Sequence, residues 1–520
     1  MIHCRLSVLA PLLLLLPAFA PAGRAEVRLS ALLADHMVVQ RGRPVHLWGD
    51  ADPGETVTAS FRGETRAVTA DELGRWSLQL PAGEAGGPFE ISLGGAHPIR
   101  LHDVLVGDVW LASGQSNMEL PLRLAADPAR EIAQADFRQI RFFQVLPRVS
   151  EYPLEHLGPA EVRPWTSCRP EVAAEFSAVA YHFACEIQKR TGVPVGVVQS
   201  CWGGTPAEAW TSLRGLSADP ELMPVFAYRA QIVTARAATL RQLAREQAEY
   251  QQAVSRGQAE GLTDPSLTWR PDFAGWAPGA LYNGMIAPLT PFPLKGVIWY
   301  QGESNSEPLQ HPAYGRLFPA LIADWRQAWC QGDFPFLFVQ IANYGSVPPD
   351  WHWPEVREAQ RRSLRVSNTA MAVTIDIGDA HEIHPQNKRE VGRRLALAAR
   401  ALAYGESIEY SGPLFRRATR EGGAVRVRFD HVEGGLVVRG PAATGFEIAG
   451  VDGRFVAATA VIDGDTLLVS SPAVPAPRRV RYGWAPDPAC NLYNHAGLPA
   501  SPFLSGDAAG AAAGVFQDRR

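Results

Sequence analysis

The sequence is poor in lysine beside arginine, and its six cysteines are scattered, with no C-x-x-C pair and no Cys/His spacing of the kind that holds a structural metal. Basic and acidic residues nearly cancel, 49 against 53, so no cationic surplus points to a nucleic-acid partner and no acidic tail points to disorder. After the first twenty residues no apolar run is long enough to span a bilayer. What is present is length and turn chemistry: 520 residues with 47 Gly and 42 Pro, too long for one core and rich in the residues that punctuate loops. Two or three domains are expected.

The amino terminus reads as a secretory signal over residues 1–25. Arg5 precedes the apolar run from Leu6 to Ala20, small residues follow, and cleavage is expected after Ala25. The mature chain is therefore expected to be exported, periplasmic or secreted, with no membrane association once the signal is removed. Loss of Cys4 leaves Cys168, Cys185, Cys201, Cys330 and Cys490, an odd number. A disulfide or two is compatible with an oxidising compartment, but burial as small hydrophobes is the main reading. Cys201 stands out because it adjoins the turn Trp202-Gly203-Gly204.

The rhythm of the chain changes three times. Residues 26–102 alternate in short runs such as Val45-His46-Leu47-Trp48 and Trp76-Ser77-Leu78-Gln79-Leu80, broken by Asp52-Pro53-Gly54 and Pro81-Ala82-Gly83; this predicts an all-β sandwich. Residues 103–403 alternate strand with helix, with strands expected at 104–112, 140–145, 193–199, 296–300, 336–341 and 371–375. Helices are expected at 173–189, 314–329, 356–364 and 386–403. That order implies a mostly parallel sheet covered on both faces. A helical insertion at about 212–270 interrupts it, opened by Asp219-Pro220 and ending near Gly257. Residues 404–507 return to β rhythm, and the Gly/Ala-rich stretch 508–520 is expected to be flexible.

The chemistry emerges when polar motifs are placed on this core. Ser116 lies in Gly114-Gln115-Ser116-Asn117 after the first core strand; Gly203-Gly204-Thr205 and Gln301-Gly302-Glu303-Ser304-Asn305 follow two others. Asp376, Asp379 and His384 follow the last. In a parallel sheet all these carboxyl ends share one edge, where active sites of open α/β folds form. A serine hydroxyl needs a base, and His384 is the leading one. An oxyanion needs fixed donors, which the backbone of Ser116, of Gly203 or Gly204, and the Gln301 amide could supply. Gln115, Asn117, Glu303 and Trp202 are expected to contact substrate, with Glu303 orienting its loop rather than acting as an acid.

Together with Trp299-Tyr300-Gln301-Gly302-Glu303-Ser304-Asn305 and Ile383-His384-Pro385-x-Asn387-Lys388, these blocks resemble the sialate O-acetylesterase family of the SGNH-hydrolase superfamily. Tyr282-Asn283-Gly284-Met285-Ile286 and Gly392-Arg393-Arg394-Leu395-Ala396 are also similar to that family. The resemblance implies a three-layer α/β/α SGNH-like core flanked by N-terminal and C-terminal all-β domains of sandwich or jelly-roll type. It also implies a serine esterase that removes O-acetyl groups from sugars without a metal or other cofactor.

Many SGNH enzymes carry an orienting aspartate three residues before the histidine, where this chain has His381. Asp379 is the first choice for the third catalytic residue, ahead of Asp376 and Glu382, with a Ser-His dyad as the alternative. His381 and His384 with Asp376 and Asp379 could instead bind a metal, the lesser reading. Trp202, Trp210 and Trp299 are divided between sugar stacking and core. Three function classes stand: an O-acetylesterase acting on sialic acid or on a plant polysaccharide such as xylan or xyloglucan, an SGNH hydrolase of non-sugar esters, and a non-catalytic carbohydrate-binding protein.

Overall fold

Strand β1 (Ile99–Gly114) joins two parts of the molecule in one 16-residue run. A computed structural model describes residues 27–95, 98–262, 264–265 and 274–506; the expected signal segment and the tail after 507 lie outside the described residues. The first half of β1 pairs with strands of the N-terminal region, Val38–Gln40 in parallel and Gly86–Gly94 antiparallel. Its second half, Val109–Gly114, is buried throughout and enters the central sheet. The boundary expected at 102/103 therefore falls inside one strand. Thr56–Phe61 and Glu64–Thr69 extend that pairing through Gly86–Gly94, and a separate three-stranded sheet of Arg28–Leu29, Val45–Asp50 and Arg75–Leu80 completes the N-terminal part.

The central sheet adds β2 (Phe137–Val145), β3 (Val162–Cys168), β4 (Val195–Cys201), β5 (Gly296–Tyr300), β6 (Phe336–Val339) and β7 (Thr369–Ala372). Their order is β3-β2-β4-β1-β5-β6-β7, all parallel except the β3–β2 pair at one edge. Alternate residues of one strand face opposite ways: Val297 and Trp299 join one buried cluster, Ile298 and Tyr300 the other. Helices α1 (Ala178–Thr191), α3 (His311–Trp329), α4 (Trp353–Ser363) and α5 (Lys388–Leu402) cover the two faces, α1 against α5 and α3 against α4. Both faces being apolar is why these strands read as continuous hydrophobic runs rather than alternating ones.

Register sets the site. Cys201 of β4 and Tyr300 of β5 both stand level with Gly114 of β1, so the chain leaves all three strands at one height. Gly114 has φ +134°, and a Cβ there would fall on the Tyr300 carbonyl, so only glycine makes this exit. β1 is also where the winding of the sheet reverses, with β2 to β4 on one side and β5 to β7 on the other.

The helical insertion is α2 (Pro224–Ser255), 32 residues with Val225 its one buried residue. Among the described residues no helix is long and apolar enough to cross a membrane. The C-terminal region forms two four-stranded antiparallel sheets and a two-stranded pair. They enclose a core of their own around Val425, Val427, Phe446, Ile448, Leu467, Val480 and Phe503.

Arg357 of α4 stitches that region to the central sheet. Fully buried, it donates to the carbonyls of Ile341 (3.0 Å) and Ala342 (2.6 Å) beyond β6, and to those of Ala485 and Pro486 (2.8 Å each). Desolvation holds its pKa down at about 9. Arg357→Met is expected to leave these carbonyls unsatisfied and to destabilise the protein by about 3 kcal/mol, read as a lower denaturation midpoint. An unchanged midpoint would mean the C-terminal contacts hold without it.

Candidate active site

Ser116 opens a four-residue helix just past β1, with Gln115 extended before it. The turn is anchored at both neighbours: Gln115 N–H donates to Tyr300 O (3.0 Å) and Trp202 N–H to Gly114 O (3.1 Å). The Ser116 hydroxyl reaches His384 Nε2 at 2.8 Å, across 268 residues of sequence. That contact joins the turn after β1 to the loop after β7.

The other ring nitrogen, Nδ1, faces Glu382 Oε1 at 3.2 Å, and the same oxygen accepts the backbone N–H of His384 at 2.9 Å. With Nδ1 donating to this carboxylate, Nε2 is left to accept from serine. Asp379, the first choice from sequence, is elsewhere: its Oδ1 accepts the N–H of His381 at 2.8 Å. Asp376 is held by Arg394 at 2.6 and 2.9 Å. The acid at the imidazole is thus Glu382, placed last of the three. Among the described residues no group of three His, Cys, Asp or Glu side chains is arranged to hold a metal.

Burial lowers the pKa of His384, and the nearby Lys388 lowers it further, while Glu382 opposes both. The ring is therefore in the proton-accepting form at neutral pH.

The expected oxyanion donors divide. Among the described residues the N–H groups of Ser116 and Gly204 have no protein acceptor. The Gly203 N–H is taken by Glu119 Oε2 at 2.7 Å. Gly203 is pressed between that carboxylate and the nucleophile: a Cβ would meet Glu119 Oε2 at 3.1 Å and Ser116 Cβ at 3.3 Å. The Gln301 amide is committed as well, donating to Asn305 Oδ1 (2.6 Å) and Thr205 O (3.3 Å) from a fully buried position. Its role is to tie the loop after β5 to the loop after β4, not to face the nucleophile.

Three of the four residues expected to touch substrate are buried. Gln115 Oε1 accepts the N–H groups of Gly302 and Ser304. Asn117 donates to Glu303 Oε1 at 2.6 Å and to the carbonyl of Ile383 at 3.0 Å, and its own oxygen accepts from Lys388. They build the floor under Ser116. Trp202 is half-buried beside Gly203, whereas Trp210 and Trp299 are fully buried core residues in edge-to-face contact at 6.2 Å. Trp276, beyond the expected insertion, reaches the site, its Nε1–H donating to Gly204 O, and Tyr228 OH of α2 donates to Glu307 at 2.6 Å. All five described cysteines are free thiols, with Cys201 buried at the end of β4. Glu119 and Lys388 are the site residues that spacing alone does not rank; the polarity of Glu119 one turn after Ser116 was the available signal.

Comparison with known proteins identifies the family. The family model described as carbohydrate esterase, sialic acid-specific acetylesterase, matches residues 265–401, which include Gln301 and His384. The mouse sialate O-acetylesterase is 30% identical over 92% of this chain and 94% of its own length. The chain belongs to the sialate O-acetylesterase family. The human sialate O-acetylesterase is 32% identical over 79% of this chain and 77% of its own. A solved carbohydrate acetylesterase from Xanthomonas citri superposes with a TM-score of 0.79 at 41% identity, over 92% of this chain and 100% of that one. This member of the family is a carbohydrate esterase of mixed α/β fold with several sheets.

Proposed function

We propose that this chain hydrolyses O-acetyl esters of carbohydrates through an acetyl-Ser116 intermediate, on a core of SGNH type flanked by two β domains. The observation that carries the reading is the 2.8 Å contact between Ser116 Oγ and His384 Nε2. Ser116 Oγ attacks the acetyl carbonyl carbon while its proton passes to Nε2. The oxyanion so formed accepts the N–H groups of Ser116 and Gly204, which have no protein acceptor among the described residues. The C–O bond to the sugar then breaks and the sugar oxygen takes the proton from His384. A water attacks the acetyl-serine with His384 again as base, releasing acetate and restoring the hydroxyl. Glu382 holds the ring and stabilises it while protonated.

The family members named above support an acetylated sugar as substrate. Sialic acids and plant polysaccharides are both candidates, and export through the amino-terminal signal is part of the proposal. Acetate release by the purified enzyme from O-acetyl sialic acid, acetylated xylan and acetylated xyloglucan oligosaccharides tests it. Because His384 must be neutral, kcat/KM is expected to fall on the acid side with a midpoint below the ordinary imidazole value of 6.5. Absence of acetate release from every acetylated sugar would overturn the reading.

A further inference from the structure

Beneath the nucleophile runs a buried polar chain that the reaction as written does not use. Asn117, Glu303 and Lys388 are each no more than 3% exposed. They come from three separate segments: the short helix after β1, the turn after β5 and the first residue of α5. Asn117 is the hub. Its amide nitrogen donates to Glu303 Oε1 and to the carbonyl of Ile383, the residue before His384, and its oxygen accepts from Lys388 Nζ. Lys388 also lies 5.2 Å from the centre of the Tyr300 ring. Glu303 Oε2 has no hydrogen-bond partner, and burial holds the Lys388 pKa down at about 7, so Glu303 and Lys388 are linked through the Asn117 amide.

We propose that Lys388 is a positioning residue of this reaction: through Asn117 it latches the turn that carries Ser116 to the loop that carries His384. The inference rests on the esterase reading above. One side of the Asn117 amide grips Ile383, adjacent to the base, and Asn117 itself adjoins the nucleophile. Lys388 and Glu303 fix the orientation of that amide, because one binds its oxygen and the other its nitrogen. A shift of a few tenths of an ångström in a Ser–His contact is enough to slow proton transfer.

The residue type agrees. The sequence has three lysines, Lys189, Lys295 and Lys388, among its 49 basic residues. A compact ammonium suits a single amide oxygen in a closed site, where a five-donor guanidinium fork would leave donors unsatisfied. Lys388 has a second effect through its charge. The charged or titratable groups facing His384 are Lys388 from α5, Glu382 from its own loop and Ser116, with Glu303 behind Asn117 and Glu119 beside Ser116. Of these Lys388 favours the neutral imidazole and Glu382 the charged one.

The test compares Lys388→Met, which removes donor and charge, with Lys388→Gln, which keeps a donor without the charge. For Lys388→Met, kcat for acetate release is expected to fall at least about tenfold with little change in KM. The acid limb of kcat/KM should move up, because the repelling charge is gone. Lys388→Gln should show the same movement with a smaller loss of kcat. Folded variants with a wild-type acid limb, whatever their kcat, would mark Lys388 as merely structural and overturn the assignment. Should neither variant fold, Asn117→Ala decides: a loss of kcat of at least about tenfold with KM little changed supports the latch, and wild-type kcat overturns it. An inactive wild type would instead overturn the esterase reading.

Discussion

Ser116→Ala is expected to abolish acetate release, by a factor on the order of 10⁴ or more, in a protein that still folds. The size follows from the arrangement. Removing Oγ deletes the atom that forms the covalent bond, and His384 then has no hydroxyl within reach to deprotonate. What survives is the slow attack of water assisted by the Ser116 and Gly204 N–H groups, which are backbone and unaffected by the change. The fold is spared because the hydroxyl makes no other hydrogen bond among the described residues, and the turn is fixed by Gln115 and Trp202 backbone bonds. Alanine is at ease at the first position of a helix. Substrate binding, measured by titrating the folded variant with an acetylated sugar, should be little changed.

The second large effect separates Glu382 from Asp379. Glu382→Ala should lower kcat by about 10²-fold, with KM nearly constant, because the carboxylate acts only by holding Nδ1 and stabilising the protonated ring. The loss should be smaller than for a buried orienting acid, since the Glu382 side chain is 53% exposed and water screens its charge. Its removal also takes away the group that favours the charged imidazole, so the acid limb of kcat/KM should move down. Lys388→Met should move it up. Asp379→Ala should leave kcat and the acid limb unchanged, as its carboxylate caps only the backbone of His381. The reverse pattern, with Asp379→Ala crippling and Glu382→Ala mild, would contradict the assigned geometry.

Much of the core was legible because its strands are buried on both faces. Val297–Trp299 and Phe336–Phe338 read as uninterrupted apolar runs, and the helices between them carry clear periodicity. The edge strand Val162–Cys168 was not, for it holds Pro164 and the polar Arg163, Thr166 and Ser167, and pairs on one side only. The split of β1 was hidden too: Ile99 to His102 alternates, Val109 to Ala112 does not, and Asp103, Gly107 and Asp108 between them do not end the strand. The motif residues were found because each follows a strand at the same edge. Their partners were not. Nothing in a string of letters tells that the Gln301 amide closes on Asn305 four residues later, or that Asn117 faces Lys388 rather than solvent. Buried polar groups satisfy one another in space, and that matching leaves no periodic trace. Glu382 does not fit a three-residue spacing, yet a glutamate two residues before the histidine is long enough to fold back onto Nδ1.

The most direct measurement is mass spectrometry of the enzyme quenched during turnover of an acetylated sugar. One acetyl group on the peptide carrying Ser116, appearing with wild type and absent from Ser116→Ala, is the predicted result. Acetate released with no acetyl on Ser116, or with the label on another residue, would contradict it.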